Sequence, residues 1–229
     1  VHDLIREFLL QSLDTQAKEE LHNKAVVWYE KQPSSSQISL ELIYHLISSS
    51  RHEDATSIII DEGRDLVKEG HIELLGLLES IDTKSVNAEG ACRIDRLRGE
   101  VLALLGRFDE AEEAFNQARP PAEAAGLKDV IADILSNLAD IALKRGDSES
   151  SLGMHRKALE LFIELKDAVG AARSYNNMGY ILRRSGDNAK ALDAYSEVES
   201  ILSEDKSKSL IPAQIVLARA LLDLGHQDR

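Results

Sequence analysis

Apolar residues in the first fifty positions recur three and four residues apart rather than in alternation, which places them on single faces of helices. Leu4, Ile5, Phe8 and Leu9 form one such face; Ala17, Leu21, Ala25 and Trp28 with Tyr29 form a second; Leu40, Ile43, Tyr44 and Ile47 form a third. The stretch from Gln32 to Gln37, with Pro33 and three serines, predicts the linker between the last two. Further along, SSSRHEDATSII (48–59) and KEGHIELLGLL (68–78) predict two weaker helical hairpins, and the polar stretch from Asp82 to Glu89 interrupts the pattern.

Beyond it the chain repeats itself. LGRFDEA, RGDSESS, SGDNAKA and LGHQDR place Gly106, Gly146, Gly186 and Gly225 at spacings of 40, 40 and 39 residues. An apolar stretch precedes each glycine, with a small residue seven positions upstream: Gly99, Ala139, Gly179 and Ala218. Small side chains there let a neighbouring helix approach closely. Ala111, Ser151 and Ala191 follow the first three glycines by five residues, and Phe115, His155 and Tyr195 come four later, on one face of a second helix. The glycines suit left-handed helix ends, and Asp109, Asp147 and Asp187 are positioned to cap the helices that follow. Pro120 and Pro121 predict a break or kink in the second helix of the first clear repeat.

The order of small residue, loop glycine, alanine, aromatic and alanine resembles the tetratricopeptide repeat, most closely in GEVLALLGRFDEAEEAFNQA and GYILRRSGDNAKALDAYSEV. The middle repeat departs from it at Ser151 and His155, where alanine and an aromatic are usual. A period near 40 exceeds the family's ~34 and implies longer helices. The resemblance implies an all-α fold, a right-handed superhelical solenoid of helical hairpins. Three complete or nearly complete repeats follow Cys92, and irregular hairpins precede it.

Composition narrows the function classes. A chain of 229 residues that is 43% hydrophobic and 4% aromatic, with 13 Gly and 4 Pro, suits helices and not a β-sandwich or barrel. A net charge of -13 opposes nucleic acid and anionic membrane surfaces. No apolar run is long enough to span a bilayer and the N-terminal stretch has no signal-peptide pattern, so no membrane contact and a cytoplasmic location are expected. The single cysteine, Cys92, fits a reducing compartment and reads as a small buried helix residue rather than a nucleophile. Seven histidines show no metal-ligand spacing, no GxSxG segment occurs, and the carboxylates single out no acid–base pair. No enzyme activity, metal or cofactor is expected of the chain.

A second resemblance covers about the first 60 residues. HDLIREFLL, then AKEELHNKAVVWYE, then ELIYHLISSSRHEDA is similar to the junction in signal-transducing ATPases with numerous domains, the STAND class, where a nucleotide-binding module and winged helix give way to a helical-repeat sensor. No phosphate-cradling glycine-rich loop followed by lysine is present, so ATP binding is not expected of the chain itself. With its start at Val1 and its end at Arg229 within an unfinished repeat, the chain is expected to be a piece of a longer protein. The expected organisation is a junction over 1–32, irregular hairpins over 33–90 and tetratricopeptide-like repeats over 91–229, the last truncated. Its expected role is that of a ligand- or protein-sensing arm regulating a STAND-type ATPase, with the absent nucleotide module of the same protein as one partner. The alternative is a stand-alone peptide-binding scaffold or adaptor.

The first helix of each repeat lines the concave face in this family. Helical period places Arg173, Asn176, Asn177, Tyr180, Arg183 and Arg184 on or near that face, with Asn137, Asp140 and Lys144 before them and Arg219 after. Asn137 and Asn177 lie 40 residues apart at equivalent positions, and the resemblance implies that such amides hold the backbone of an extended peptide. They serve equally to satisfy a neighbouring loop. The arginines form either an anion-binding patch or a salt-bridged face, with Asp140 and Asp223 as partners. The expected ligand is a peptide, protein or small anion, centred on Arg173, Asn177, Tyr180 and Arg183.

Overall fold

The computed structural model describes residues 13–204, and among them every regular element is helical. They are α1 (Thr15–Tyr29), α2 (Ser36–Ser48), α3 (His52–Lys68), α4 (Leu74–Glu79), a 3-10 turn (Thr83–Ser85), α5 (Ala88–Leu104), α6 (Phe108–Ala124), α7 (Lys128–Lys144), α8 (Ser148–Glu164), α9 (Ala168–Arg184) and α10 (Asn188–Glu204). No helix among them is long and apolar enough to cross a membrane. From α5 on, each helix has 17 residues. The 40-residue sequence period is thus two helices and two three-residue loops.

The loops explain this regularity. In each, the middle residue adopts the left-handed conformation: Gly106 at φ 75°, Gly126 at 68°, Gly146 at 87°, Lys166 at 57° and Gly186 at 84°. The following N–H reaches back to the last turn, as in Arg107 to the Leu102 carbonyl at 2.9 Å and Asp187 to Leu182 at 3.0 Å, which closes a Schellman motif. Asp147, Asp167 and Asp187 then accept from the backbone N–H groups of Ser150, Gly170 and Lys190 at 3.0, 2.9 and 3.3 Å. The Ser150 bonds hold the Asp147 carboxyl below its ordinary range, so this cap persists at neutral pH and is lost as acid protonates it. Asp109 lies inside the first turn of α6, two residues beyond the position that Asp147 and Asp187 hold in theirs; Arg107 stands there and pairs with Glu110, Nε to Oε1 2.7 Å. A carboxylate in the first turn still complements the helix dipole. Lys166 is the only one of these five left-handed positions without glycine. Lys166→Gly should therefore raise stability by roughly 0.5–1 kcal/mol, since left-handed strain of about 1–2 kcal/mol is partly offset by the greater unfolded-state entropy of glycine. A urea midpoint that stays put or falls would refute this.

The expected break at Pro120 and Pro121 does not occur: α6 continues through both to Ala124. The prolines lie within its last five residues, and the chain closes the end with Leu127 N–H on the Ala122 carbonyl at 3.0 Å.

The chain divides into two compact units, residues 1–118 and 119–229. In the first, α1 packs on α2, α2 on α3 and α4, and both α3 and α4 on α5. Ile43, Leu46, Ile59, Leu74, Leu78, Ile94 and Leu97 fill its core. The expected face of α1 is not the buried one. His22 and Val26 are buried, whereas Leu21 and Trp28 are exposed. His22 faces α2, where it pairs with His45, Nδ1 to Nδ1 2.7 Å. Cys92 is buried in α5, and burial raises its thiol pKa, opposite to what a nucleophile requires.

In the second unit α7 packs on α8, α8 on α9 and α9 on α10. Ala132, Leu135, Ala158, Leu159, Phe162, Ala171 and Met178 form its main core. Ser151 and His155, the departures from the repeat pattern, are fully buried in register with the alanines and aromatics of the other repeats.

Candidate functional site

Helices α7 and α9 are the first helices of successive repeats, and four pairs of residues 40 apart run along them: Asp133 and Arg173, Asn137 and Asn177, Asp140 and Tyr180, Lys144 and Arg184. The spacing within each helix is four, three and four, so each set shares one face. Side chains bridge the two helices along this line. Arg173 Nη2 lies 3.5 Å from Asp133 Oδ1, and Asn177 Nδ2 donates to Asp140 Oδ1 at 3.1 Å. Within α9, Arg184 Nη1 donates to the Tyr180 hydroxyl at 3.1 Å and its guanidinium lies 5.7 Å from the ring centroid.

The C-terminal half of this face opens into a groove of about 610 Å3, within the roughly 300–1,000 Å3 typical of ligand sites. Asp140, Leu143 and Lys144 of α7 line one side, with Gly146 beyond; Asn176, Asn177, Tyr180 and Arg184 of α9 line the other; Tyr195 of α10 completes it. Lys144 and Arg184 place two cations at the helix C-termini, while Asp140 and the amides lie one to two turns back. Beneath, the buried His155 ring sets Nε2 3.3 Å from Asp140 Oδ1, and neither ring nitrogen makes a well-formed hydrogen bond. Asp140 is thus engaged from two sides. Lys144 and Arg184 supply charge for an anionic group, and the amides supply both donors and acceptors for a peptide backbone.

Five of the nine expected residues meet in this groove: Asp140, Asn176, Asn177, Tyr180 and Arg184. Asn137 donates to the Asp133 carbonyl of its own helix at 2.9 Å. Arg173 sits further along, between Asp133 and the Phe162 ring, 5.7 Å from its centroid. Neither they nor Arg183 line the groove, and Arg219 lies outside the described residues. Tyr195 belongs to the site although its position suggests only a core aromatic, and Leu143 joins it as well. Lys144, which helical period also places on this face, lines the groove as well.

Two models of the tetratricopeptide repeat match the sequence, one over residues 130–204 and the other over 93–117 and 211–229. No curated protein matches it. Among solved structures, BtubC (BKLC) from P. vanneervenii is similar in fold, with a TM-score of 0.61 at 19% identity, covering 93% of this chain and 85% of that one. The helical hairpins of the described residues agree with the matches that fall within them: the chain carries tetratricopeptide repeats over residues 93–117 and 130–204, and its sequence matches a further one over 211–229.

Proposed function

We infer that this chain is a helical scaffold for protein interaction, as its tetratricopeptide repeats imply. We propose that it is the sensing arm of a STAND-type ATPase, in which the α7–α9 groove takes up an extended peptide or protein segment bearing an anionic group. The observation that carries the binding half is the groove itself, with the amides of Asn176 and Asn177 one to two turns from the cations of Lys144 and Arg184. The likeness of HDLIREFLL and the following helices to a STAND junction supports the regulatory half; residues 1–12 of that segment lie outside the described residues. In this reading the arm performs no catalysis. Ligand binding shifts a two-state balance by differential affinity, and stacked repeats, each contacting its neighbours, convey the change to the nucleotide module.

Two measurements separate the halves. A P-loop and winged helix encoded upstream of Val1 would support the regulatory role, and their absence would leave an adaptor that uses the same groove. For the groove, a peptide array probed with the chain should yield acidic binders whose affinity falls about tenfold or more in Arg184→Ala, the scale of one charge-assisted contact. Folding should be unaffected, since Arg184 is exposed and bonds only within its own helix. Undiminished affinity in the folded variant would refute the assignment.

A further inference from the structure

The first unit holds a second recess that the repeats do not account for, since no matched segment includes residues 36–79. It lies between α2 and α4 with a volume of about 270 Å3. That falls below the roughly 300–1,000 Å3 of small-molecule sites, and suits one long side chain rather than a whole cofactor. Leu40, Tyr44 and Leu77 line it with apolar surface, while Gln37, Glu41 and Glu73 add its polar part. Apolar walls and two carboxylates together match an aliphatic stem that ends in a cation.

Neither carboxylate has a lysine or arginine partner among the described residues. Glu41 accepts only from Gln37 Nε2 at 3.3 Å, and Glu73 meets His71 Nδ1 at 2.9 Å. A bond from its own backbone N–H, followed by the His71 contact, holds the Glu73 carboxyl below its ordinary range, so it is an anion at neutral pH. Glu110 and Glu123, by contrast, pair with Arg107 and Arg119. The recess therefore offers two carboxylates without an arginine or lysine partner among the described residues, over an apolar floor.

We propose that this recess docks an arginine- or lysine-bearing segment of a partner protein, with the aliphatic stem on Leu40, Tyr44 and Leu77 and the cationic head at Glu41 and Glu73. The site is separate from the α7–α9 groove and opposite to it in the charge it selects. It gives the chain two binding surfaces, one for an acidic and one for a basic segment.

The test is a nuclear magnetic resonance titration of the whole chain with an acetylated, amidated peptide carrying a single arginine between leucines, and with its citrulline twin. Citrulline keeps the shape and removes the charge. Amide shifts at Leu40, Tyr44 and Leu77 should saturate with the arginine peptide, with affinity at least about tenfold weaker for citrulline and for the Glu41→Gln, Glu73→Gln double variant. Equal responses to both peptides, shifts confined to α7 and α9, or none at millimolar peptide would overturn the proposal. The citrulline comparison uses the unaltered chain and holds whatever the variants do to folding.

Discussion

Replacing Gly99 by alanine should destabilise the first unit by about 1–3 kcal/mol, although glycine-to-alanine in an ordinary helix interior stabilises by about 1 kcal/mol. The sign reverses because a Cβ on Gly99 would lie 2.5 Å from Phe115 Cε1 and 2.7 Å from Cδ1, on a ring fully buried in α6. The ring has nowhere to move without displacing its neighbours. Gly179 repeats the arrangement in α9, where the Cβ would meet Tyr195 Cε1 at 2.6 Å. The middle repeat takes the other solution, with Ala139 and the smaller ring of His155 at the equivalent positions, both fully buried. The size of the first-helix residue and that of the ring thus compensate. A double-mutant cycle checks the account: Gly99→Ala should cost less by denaturant unfolding when Phe115→Leu is already present, with a coupling of about 0.5–3 kcal/mol. Additive costs would refute it. In the second unit the same change would press on Tyr195, which lines the groove, so Gly179→Ala should weaken ligand binding as well as folding.

Arg173→Ala should cost the second unit about 1–3 kcal/mol, whereas an exposed arginine usually contributes less than ~1 kcal/mol. Arg173 faces Asp133, whose side chain is only 4% exposed, and its guanidinium lies against Phe162 in the main core. Removing it takes a counter-charge from a buried carboxylate. Because the guanidinium is itself 47% exposed, the cost falls short of the 3–5 kcal/mol of breaking a fully buried pair. Arg173→Lys should recover part of the loss through charge while forfeiting the planar contact with the ring. The cost should shrink in an Asp133→Asn background, where no carboxylate remains to be compensated; equal denaturant midpoints for Arg173→Ala and the unaltered chain would refute the assignment. In sequence, Arg173 reads equally as part of an anion-binding patch or of a salt-bridged face. The structure makes Arg173 a support of the α7–α9 face, and Arg184 is the arginine whose loss should leave folding intact.

Much of this architecture follows from local rules that the chain states openly. Gly106, Gly146 and Gly186 mark left-handed helix ends because few other residues adopt that conformation without strain, and their spacing measures the hairpin. Gly99 and Gly179 announce close helix contacts by lacking a side chain. Asp147 and Asp187 cap their helices through bonds that span three residues. Lys166 hides the same turn behind an ordinary side chain, so the helix end there is legible only from the backbone.

What the sequence by itself determined was therefore the helical class, the period and which residues of α7 and α9 share a face, since each depends on residues within one or two turns of one another. The tertiary structure decided which of those residues act together. Asn137 and Asn177 occupy the same repeat position, yet one amide bonds its own helix and the other crosses to Asp140. Arg173 and Arg184 share a helix face, yet one meets a buried carboxylate and the other a tyrosine at the groove. His22 of α1 turns inward and meets His45 of α2, while Leu21 and Trp28 are exposed. Periodicity places a residue on a face, but its partner comes from another helix, and only packing brings that partner within reach.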